Sequence, residues 1–176
     1  MSRPRKRNDL PLTVSTKLLV DGSDAEFRDF ILDMIAYGHR LDACRGAFAA
    51  IAGVSAAQYE ILMLVSRADG VSVGEVAARL HRSGAFITIE ANKLVERGVL
   101  AKAPDPDDGR KVRLQVTRKS REILERLAPY QVRINDVLFG HLSPKRFREL
   151  RALVREQLSA GDRAAALLGF LLQEAA

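Results

Sequence analysis

The 176-residue sequence predicts a mainly α-helical protein with one small β-hairpin. Apolar residues recur at spacings of three and four along most of the chain, which is typical of amphipathic helices. Several serines that precede Glu or Gln by three residues mark helix starts. After Asp108-Gly109, the apolar residues Val112, Leu114 and Val116 alternate with polar ones, as expected for a half-buried strand that follows a hairpin turn.

The helix signals divide the first two thirds of the chain into four helices. A capping box at Ser23 predicts a long helix that ends near Gly53, and a second box at Ser55 predicts a helix that stops at Gly70. A short helix through Leu80 follows a third box, Ser72 with Glu75. Ser83 caps a fourth helix, with Gly98 just past its end. Two short helices joined by a tight turn and followed by a hairpin predict a winged helix-turn-helix.

The remaining chain predicts two more helices. One runs from about Thr117 to Gly140, and Pro129 is expected to kink or split it. The next starts at Ser143-Pro144, with Gly161-Asp162 as a candidate interruption. Its apolar tail is too hydrophobic for a monomer in water, which favours N- and C-terminal dimerisation helices. The predicted segments are a flexible basic arm (1–22), an N-terminal dimerisation helix (23–53), a winged helix-turn-helix (54–117) and C-terminal dimerisation helices (118–176).

Charge and composition narrow the function. The net charge is +6, and residues 79–121 alone hold eleven basic and five acidic residues, a concentration typical of a phosphate-binding surface. No uncharged stretch approaches the roughly 20 residues of a membrane span, and no secretory signal is recognisable, so we expect a cytoplasmic protein. A lone Cys44 excludes disulfide frameworks and thiolate metal sites. Without a recognisable catalytic or cofactor motif, we expect neither an enzyme nor a cofactor or metal.

The stretch from Asp105 to Thr117 resembles the wing of the MarR (multiple antibiotic resistance regulator) family, with Asp108 and Arg110 as an Asp-x-Arg pair before alternating apolar residues. The resemblance covers roughly residues 25–160. Its other motifs are Gln58–Leu62, Ser72–Leu80, Ser83–Thr88 and Lys93–Leu100. Two positions depart from the family pattern: Phe86 replaces a small polar residue, and Lys119-Ser120 stands where a Gly commonly follows the Thr.

The resemblance implies a homodimer that binds a pseudo-palindromic DNA operator, with Ser83–Gly98 as recognition helix. The opposite side of this helix from Ile87, Ala91 and Leu94 can reach base edges or phosphates, and Arg110 can enter the minor groove beside Asp108. Phe86 is predicted either to contact a thymine methyl group or to pack internally. The predicted DNA-binding residues are Ser83, Gly84, Ala85, Phe86, Thr88, Asn92, Lys93, Asp108, Arg110 and Arg113.

Regulation is predicted by the same resemblance: a repressor released by a small aromatic or anionic effector, such as an aromatic acid or its coenzyme A thioester. Candidate effector-binding residues are Tyr37, His39, Arg40, Tyr59 and Met63, and Arg45 also suits a carboxylate. One alternative is a redox-sensing regulator that acts through Cys44. Another is a structural dimer that does not bind DNA.

Overall fold

The computed structural model describes residues 10–68, 70–105, 108 and 112–175. After a short 3-10 helix, Thr16–Leu18, the helices are α1 (Ala25–Ala52), α2 (Ala56–Val65), α3 (Val73–Leu80), α4 (Gly84–Glu96), α5 (Arg118–Phe139) and α6 (Pro144–Glu174). The strands are β1 (Val71–Ser72), β2 (Leu100–Pro104) and β3 (Val112–Val116). The mainly helical prediction with a hairpin wing is confirmed. The first nine residues of the predicted arm, and Arg110 at the predicted wing tip, lie outside the described residues.

By its contacts the chain divides into two units, Met1–Leu127 and Ala128–Ala176. The core of the first unit is built on α2, a nearly all-apolar helix in which Ile61, Leu62 and Val65 are fully buried. Val76 of α3 and Leu94 of α4 pack into the same cluster. Burying one such side chain contributes about 1.5–3 kcal/mol, so α2 is the element that holds the helix-turn-helix together.

The sheet has three antiparallel strands in the order β1–β3–β2. Leu100 pairs with Val116 and Pro104 with Val112, which gives the predicted hairpin. Strand β1, which the sequence did not indicate, adds Val71 opposite Leu114. This third strand extends the sheet beyond the hairpin.

Gly70 leads into β1 rather than ending α2 directly. Helix α2 ends at Val65, five residues earlier than its predicted stop. Gly70 has φ +112°, and a Cβ there would lie 3.2 Å from Cδ of Arg113. A side chain at this position would therefore strain the backbone and crowd the sheet.

The capping boxes at Ser55 and Ser72 are both confirmed, and the side chains of Ser83 and Ser143 cap α4 and α6. The box predicted at Ser23 is wrong. The cap of α1 is Asp24, and Ser23 Oγ instead accepts the Ala25 amide at 3.2 Å. The Asp24 carboxylate accepts the Leu12 amide at 2.7 Å and pairs with Arg28 at 3.1 Å.

These bonds lower the pKa of Asp24, chiefly through the Leu12 amide and then through Arg28. Arg28 also donates to the Leu10 carbonyl. Asp24 is therefore used to hold the preceding chain against the start of α1, which explains why it does not cap its own helix.

Only the last part of α1 is buried, at Phe48, Ala49 and Ala52. Among the earlier apolar side chains, Phe30, Leu32 and Met34 are at least half exposed. No single helix among the described residues is long and apolar enough to cross a membrane. Helices α1 and α2 meet that criterion only as a pair, and they are bent by 81° relative to each other.

Helix α5 is continuous through Pro129, so the predicted split is wrong. The proline removes one backbone hydrogen bond, and because Glu125 is exposed, water can reach the carbonyl that loses its partner. Helix α6 likewise passes through Gly161-Asp162 without interruption. An interior glycine lowers helix stability by about 1 kcal/mol relative to alanine, a small loss for a helix of 31 residues.

Candidate nucleic-acid interface

The turn between α3 and α4 holds the helix-turn-helix in its bent form. His81 ends α3 in the left-handed region, with φ +50°, a conformation that costs a non-glycine residue about 1 kcal/mol. Two residues later, Ser83 Oγ accepts the Phe86 amide at 3.2 Å and fixes the start of α4. The three residues between the two helices thus determine the direction in which α4 leaves the turn.

Helix α4 has a buried side and an exposed side, as the sequence predicted. Ile87, Ala91 and Leu94 are at most 1% exposed. The predicted contact residues on the other side are exposed, except for Asn92, which is half-buried. Thr88 Oγ1 donates to the Gly84 carbonyl at 2.8 Å, so its hydroxyl proton is used within the helix.

A polar network beneath α4 was not predicted from the sequence. Gln58 Nε2 donates to Glu90 at 2.9 Å, and Gln58 Oε1 accepts the Ser55 amide at 3.2 Å. Arg97, at the end of α4, donates to Gln58 at 3.4 Å and to the Gly53 carbonyl at 2.7 Å. One buried amide therefore joins the start of α2 to the middle and the end of α4, a role that its place in a capping box only partly indicated.

Lys93, a predicted DNA contact, pairs with Glu90 at 2.6 Å. This ion pair lowers the pKa of the Glu90 carboxyl, and the hydrogen bond from Gln58 adds to the effect against the desolvation of the group. Glu90 therefore stays ionised at neutral pH and partly neutralises Lys93. It is an acidic residue at the edge of a surface that the sequence predicted to be basic.

An ion pair holds the base of the wing. Arg113 Nε donates to the buried Asp105 carboxylate at 2.7 Å, and Asp105 also accepts the Asp108 amide at 3.2 Å. A long contact of 3.5 Å joins Arg113 to the Gly70 carbonyl. Arg113, predicted to bind DNA, is thus engaged with the protein itself. The predicted contact between Asp108 and Arg110 involves a residue, Arg110, that lies outside the described residues.

The departure from the family pattern at Lys119-Ser120 is accommodated at the start of α5. Thr117 and Ser120 bond each other reciprocally: each hydroxyl oxygen accepts the other residue's amide, at 3.2 Å and 3.0 Å. Lys119 Nζ donates to the Arg97 carbonyl at 2.7 Å, and the buried Ser120 hydroxyl donates to the Val99 carbonyl. Thr117 adds a bond to the Gly98 carbonyl at 2.8 Å. The start of α5 is thus bonded to the segment that directly follows α4.

The five predicted effector residues lie in different environments. Tyr37, His39 and Arg40 are exposed on α1, and Arg40 donates to the Ala36 carbonyl at 2.7 Å. Tyr59 is buried, with its ring 6.1 Å from that of Phe48. Met63 is half-buried against the core.

A cavity of about 230 Å³ in the first unit includes none of the predicted effector residues. Its lining residues are Ala68, Gly70, Gln115, Val116 and Arg121. Arg45 is paired with Glu60 and, at 3.2 Å, with Asp42, so its two terminal nitrogens are engaged by carboxylates, whereas its buried Nε has no hydrogen-bond partner among the residues that the structure describes. The half-buried Cys44 packs against the core. Within the described ranges, no cluster of three or more His, Cys, Asp or Glu side chains could hold a metal ion.

Part of this chain is similar in sequence to a known protein family and to a curated relative. Residues 52–111 match the model of the MarR family. A curated relative, described as the uncharacterized HTH-type transcriptional regulator YdgJ of Bacillus subtilis (strain 168), is 24% identical over 103 residues. That match spans 58% of this chain and 63% of the relative.

Two solved structures share the fold. A MarR transcriptional regulator from Methanosarcina mazei Go1 aligns with a TM-score of 0.61 and 21% identity, over 77% of this chain and 98% of that one. CouR from Rhodococcus jostii RHA1, solved bound to p-coumaroyl-CoA, aligns with a TM-score of 0.67 and 19% identity, over 76% of this chain and 94% of that one.

Proposed function

Because residues 52–111 match the model of the MarR family, we propose that this chain is a sequence-specific, DNA-binding regulator of transcription. The observation that carries the proposal is α4 itself. Its start is capped by Ser83, its core side is buried and its other side faces solvent, and an ion pair holds the base of the wing in the same unit. This is the form in which a recognition helix enters a major groove.

The protein acts as a homodimer in this proposal. Apolar side chains are exposed along both α1 and α6, and none of the residues described in α6 is buried. Large exposed apolar surfaces normally mark interfaces. A two-fold dimer would present its recognition helices about 34 Å apart and bind a pseudo-palindromic operator.

We further propose repression that is relieved by a small aromatic or anionic effector. CouR, which shares the fold, was solved with an aromatic coenzyme A thioester bound. Because Arg45 is already paired with two carboxylates, Arg40 is the candidate cation for an effector's anionic group, and the exposed His39 is a candidate hydrogen-bond donor beside it. An effector releases DNA only if it binds the DNA-incompetent conformation more tightly. A thermal-shift screen of aromatic acids and their thioesters tests this proposal, which fails if none of them both stabilises the protein and weakens its DNA binding.

The redox alternative has less support. Cys44 packs against the core with apolar neighbours, the environment of a structural cysteine. A Cys44→Ser variant is therefore expected to keep its effector response, and loss of a response to peroxide alone would favour the thiol mechanism.

The experiment that tests DNA binding is a titration of duplex DNA from the upstream region of the protein's own gene at several salt concentrations. We expect log K to fall by about 0.9 for each neutralised phosphate per tenfold increase in salt. Arg110→Ala should weaken binding severely while the protein stays folded. Lys145→Ala, which removes an exposed positive charge from α6, is the control. A salt-independent signal, or equal affinity of the two variants, would argue against the proposed interface.

A further inference from the structure

We propose that the recognition helix identifies its operator largely through the 5-methyl groups of thymine, which Phe86 and Ile89 contact in the major groove. This inference rests on the proposed DNA-binding function and specifies which chemical feature of the DNA is read. It therefore predicts the kind of sequence that the protein selects.

The first observation is the exposure of two large apolar side chains on α4. All thirteen residues of α4 are described, and among its large apolar side chains Phe86, at 37%, and Ile89, at 55%, are the exposed ones. They are three residues apart and so lie close together on the helix surface. Ile87 and Leu94, in contrast, are completely buried. The core therefore does not require Phe86 or Ile89 to be apolar.

The second observation concerns Arg82, in the turn that precedes α4. Its guanidinium carbon lies 5.7 Å from the centre of the Phe86 ring, within the range of a cation–π contact. The contact places a positive charge next to the exposed ring. An apolar contact flanked by a cation suits a DNA groove, where methyl groups lie between phosphate backbones, better than it suits an apolar protein partner.

The third observation is that polar side chains nearby are already engaged. The Thr88 hydroxyl donates to the Gly84 carbonyl, and the Lys93 ammonium is paired with Glu90 at 2.6 Å. The Thr88 hydroxyl would have to break this bond to donate to a base edge, and the charge of Lys93 is partly neutralised by Glu90. In the major groove, thymine is the standard base that presents a methyl group. Apolar contact by Phe86 and Ile89 is thus a readout that this face offers without rearrangement.

The test starts from selection, because no operator sequence is needed in advance. The intact protein is used to select binding sites from a random duplex library, and a selected site is then resynthesised with single thymines replaced by uracil. Uracil lacks only the methyl group. Burying one methyl is worth about fourfold in affinity, so we expect about a fourfold loss at each contacted thymine. When that T·A pair is replaced, a site with 5-methylcytosine·G at the position should be bound more tightly than a site with unmethylated C·G.

Variants assign the effect to the two side chains. Phe86→Ala and Ile89→Ala should bind thymine and uracil sites equally at the position that each residue contacts. Lys93→Ala, the matched control on the same helix, should change affinity for both sites by the same factor. Since uracil substitution is made in the DNA, the wild-type measurement does not depend on the folding of any variant.

The outcomes separate the two proposals. If no site is enriched in the selection, the DNA-binding function itself is wrong and this inference fails with it. If sites are enriched and bound but every uracil substitution leaves affinity unchanged, the DNA-binding function stands and methyl recognition is overturned.

Discussion

Gln58 shows how much of the candidate interface depends on single polar residues. It is 6% exposed, yet its amide joins Ser55 at the start of α2 to Glu90 in the middle of α4 and Arg97 at the end of α4. Buried amides of this kind are stabilising only while every partner is present. The orientation of α4 relative to α2 is therefore specified by hydrogen bonds as well as by apolar packing.

The ion pair of Glu90 with Lys93 predicts how a single substitution changes DNA binding. Glu90→Gln keeps a side-chain acceptor for Gln58 but releases Lys93 from its ion pair. We expect tighter DNA binding and a salt dependence that is steeper by up to about one phosphate, because Lys93 can then neutralise DNA. Stability should fall by less than about 1 kcal/mol, since the Lys93 side of the pair is exposed.

The matched control for this variant is Glu149→Gln, which removes the same charge from an exposed pair on α6. Filter-binding titrations at several salt concentrations compare the two variants. Equal salt dependence in both would show that Glu90 does not restrain Lys93.

Among the elements, the helices of the winged segment begin where their sequences predict. Ser55 and Ser72 each form both bonds of a capping box, and each box was visible as a local pattern. Removing either serine should cost about 1 kcal/mol. The two boxes differ in one respect, because the partner of Ser72 is the ionisable Glu75 and the partner of Ser55 is the neutral Gln58.

This difference predicts a pH dependence. The bonds from the Ser72 amide and hydroxyl lower the pKa of Glu75 below its usual value of 4.5. A lowered pKa means that the carboxylate stabilises the fold fully above about pH 4.5 and loses that contribution as pH falls through the lowered value. Wild type should therefore be more stable than Glu75→Gln at neutral pH, with the gap closing in acid. Urea unfolding from pH 7 to pH 3 measures the gap.

The Ser55 box serves as the pH-independent comparison. Ser55→Ala should lose the same stability at every pH in that range, apart from effects common to all variants. A gap between wild type and Glu75→Gln that stays constant down to pH 3 would contradict the assignment of Glu75 as an ionised capping partner.

Sequence patterns predicted the elements whose causes are local and missed those whose causes are distant. Strand β1 has two residues, too few to show alternation, and it exists because Val71 and Ser72 pair with β3. Ser23 has the spacing of a capping box, but Asp24 is drawn to Leu12 and Arg28, so the helix starts differently.

In the candidate site, too, local features were predicted more readily than contacts between distant residues. The buried side of α4 and its cap at Ser83 were predicted from spacing. The pairing of Lys93 with Glu90 was not predicted, although their i,i+3 spacing on a helix could have indicated it. The pairing of Arg113 with Asp105 has no such signal, because these residues lie eight apart and outside a helix. Arg113 in particular was assigned to DNA from its place on the wing alone.

At the scale of the whole molecule, helix α6 is incomplete by itself. Its 31 residues include exposed Phe147, Val154 and Leu168, among others, and none of them is buried. At about 25 cal/mol for each Å² of apolar surface removed from water, covering such a face would be strongly favourable. Assembly with a second copy is the expected way to cover it.

The corresponding prediction is that Leu168→Glu shifts the protein from dimer toward monomer, because a carboxylate cannot be buried cheaply in an apolar interface. Sedimentation equilibrium over a range of protein concentrations measures the shift. Gln173→Glu adds the same charge at an exposed polar position of the same helix and should leave assembly unchanged. Wild-type protein that sediments as a monomer at micromolar concentration would refute the dimer.

The joint between α4 and α5 has a mechanical consequence. The carbonyls of Arg97, Gly98 and Val99 are each bonded by a side chain from residues 117–120. The two helices cannot hinge freely at this point, since independent rotation would have to rupture three bonds together. A tilt of the first turn of α5 should therefore move the end of α4 with it. We expect the backbone amides of this bonded segment to be among the slowest to exchange with deuterium.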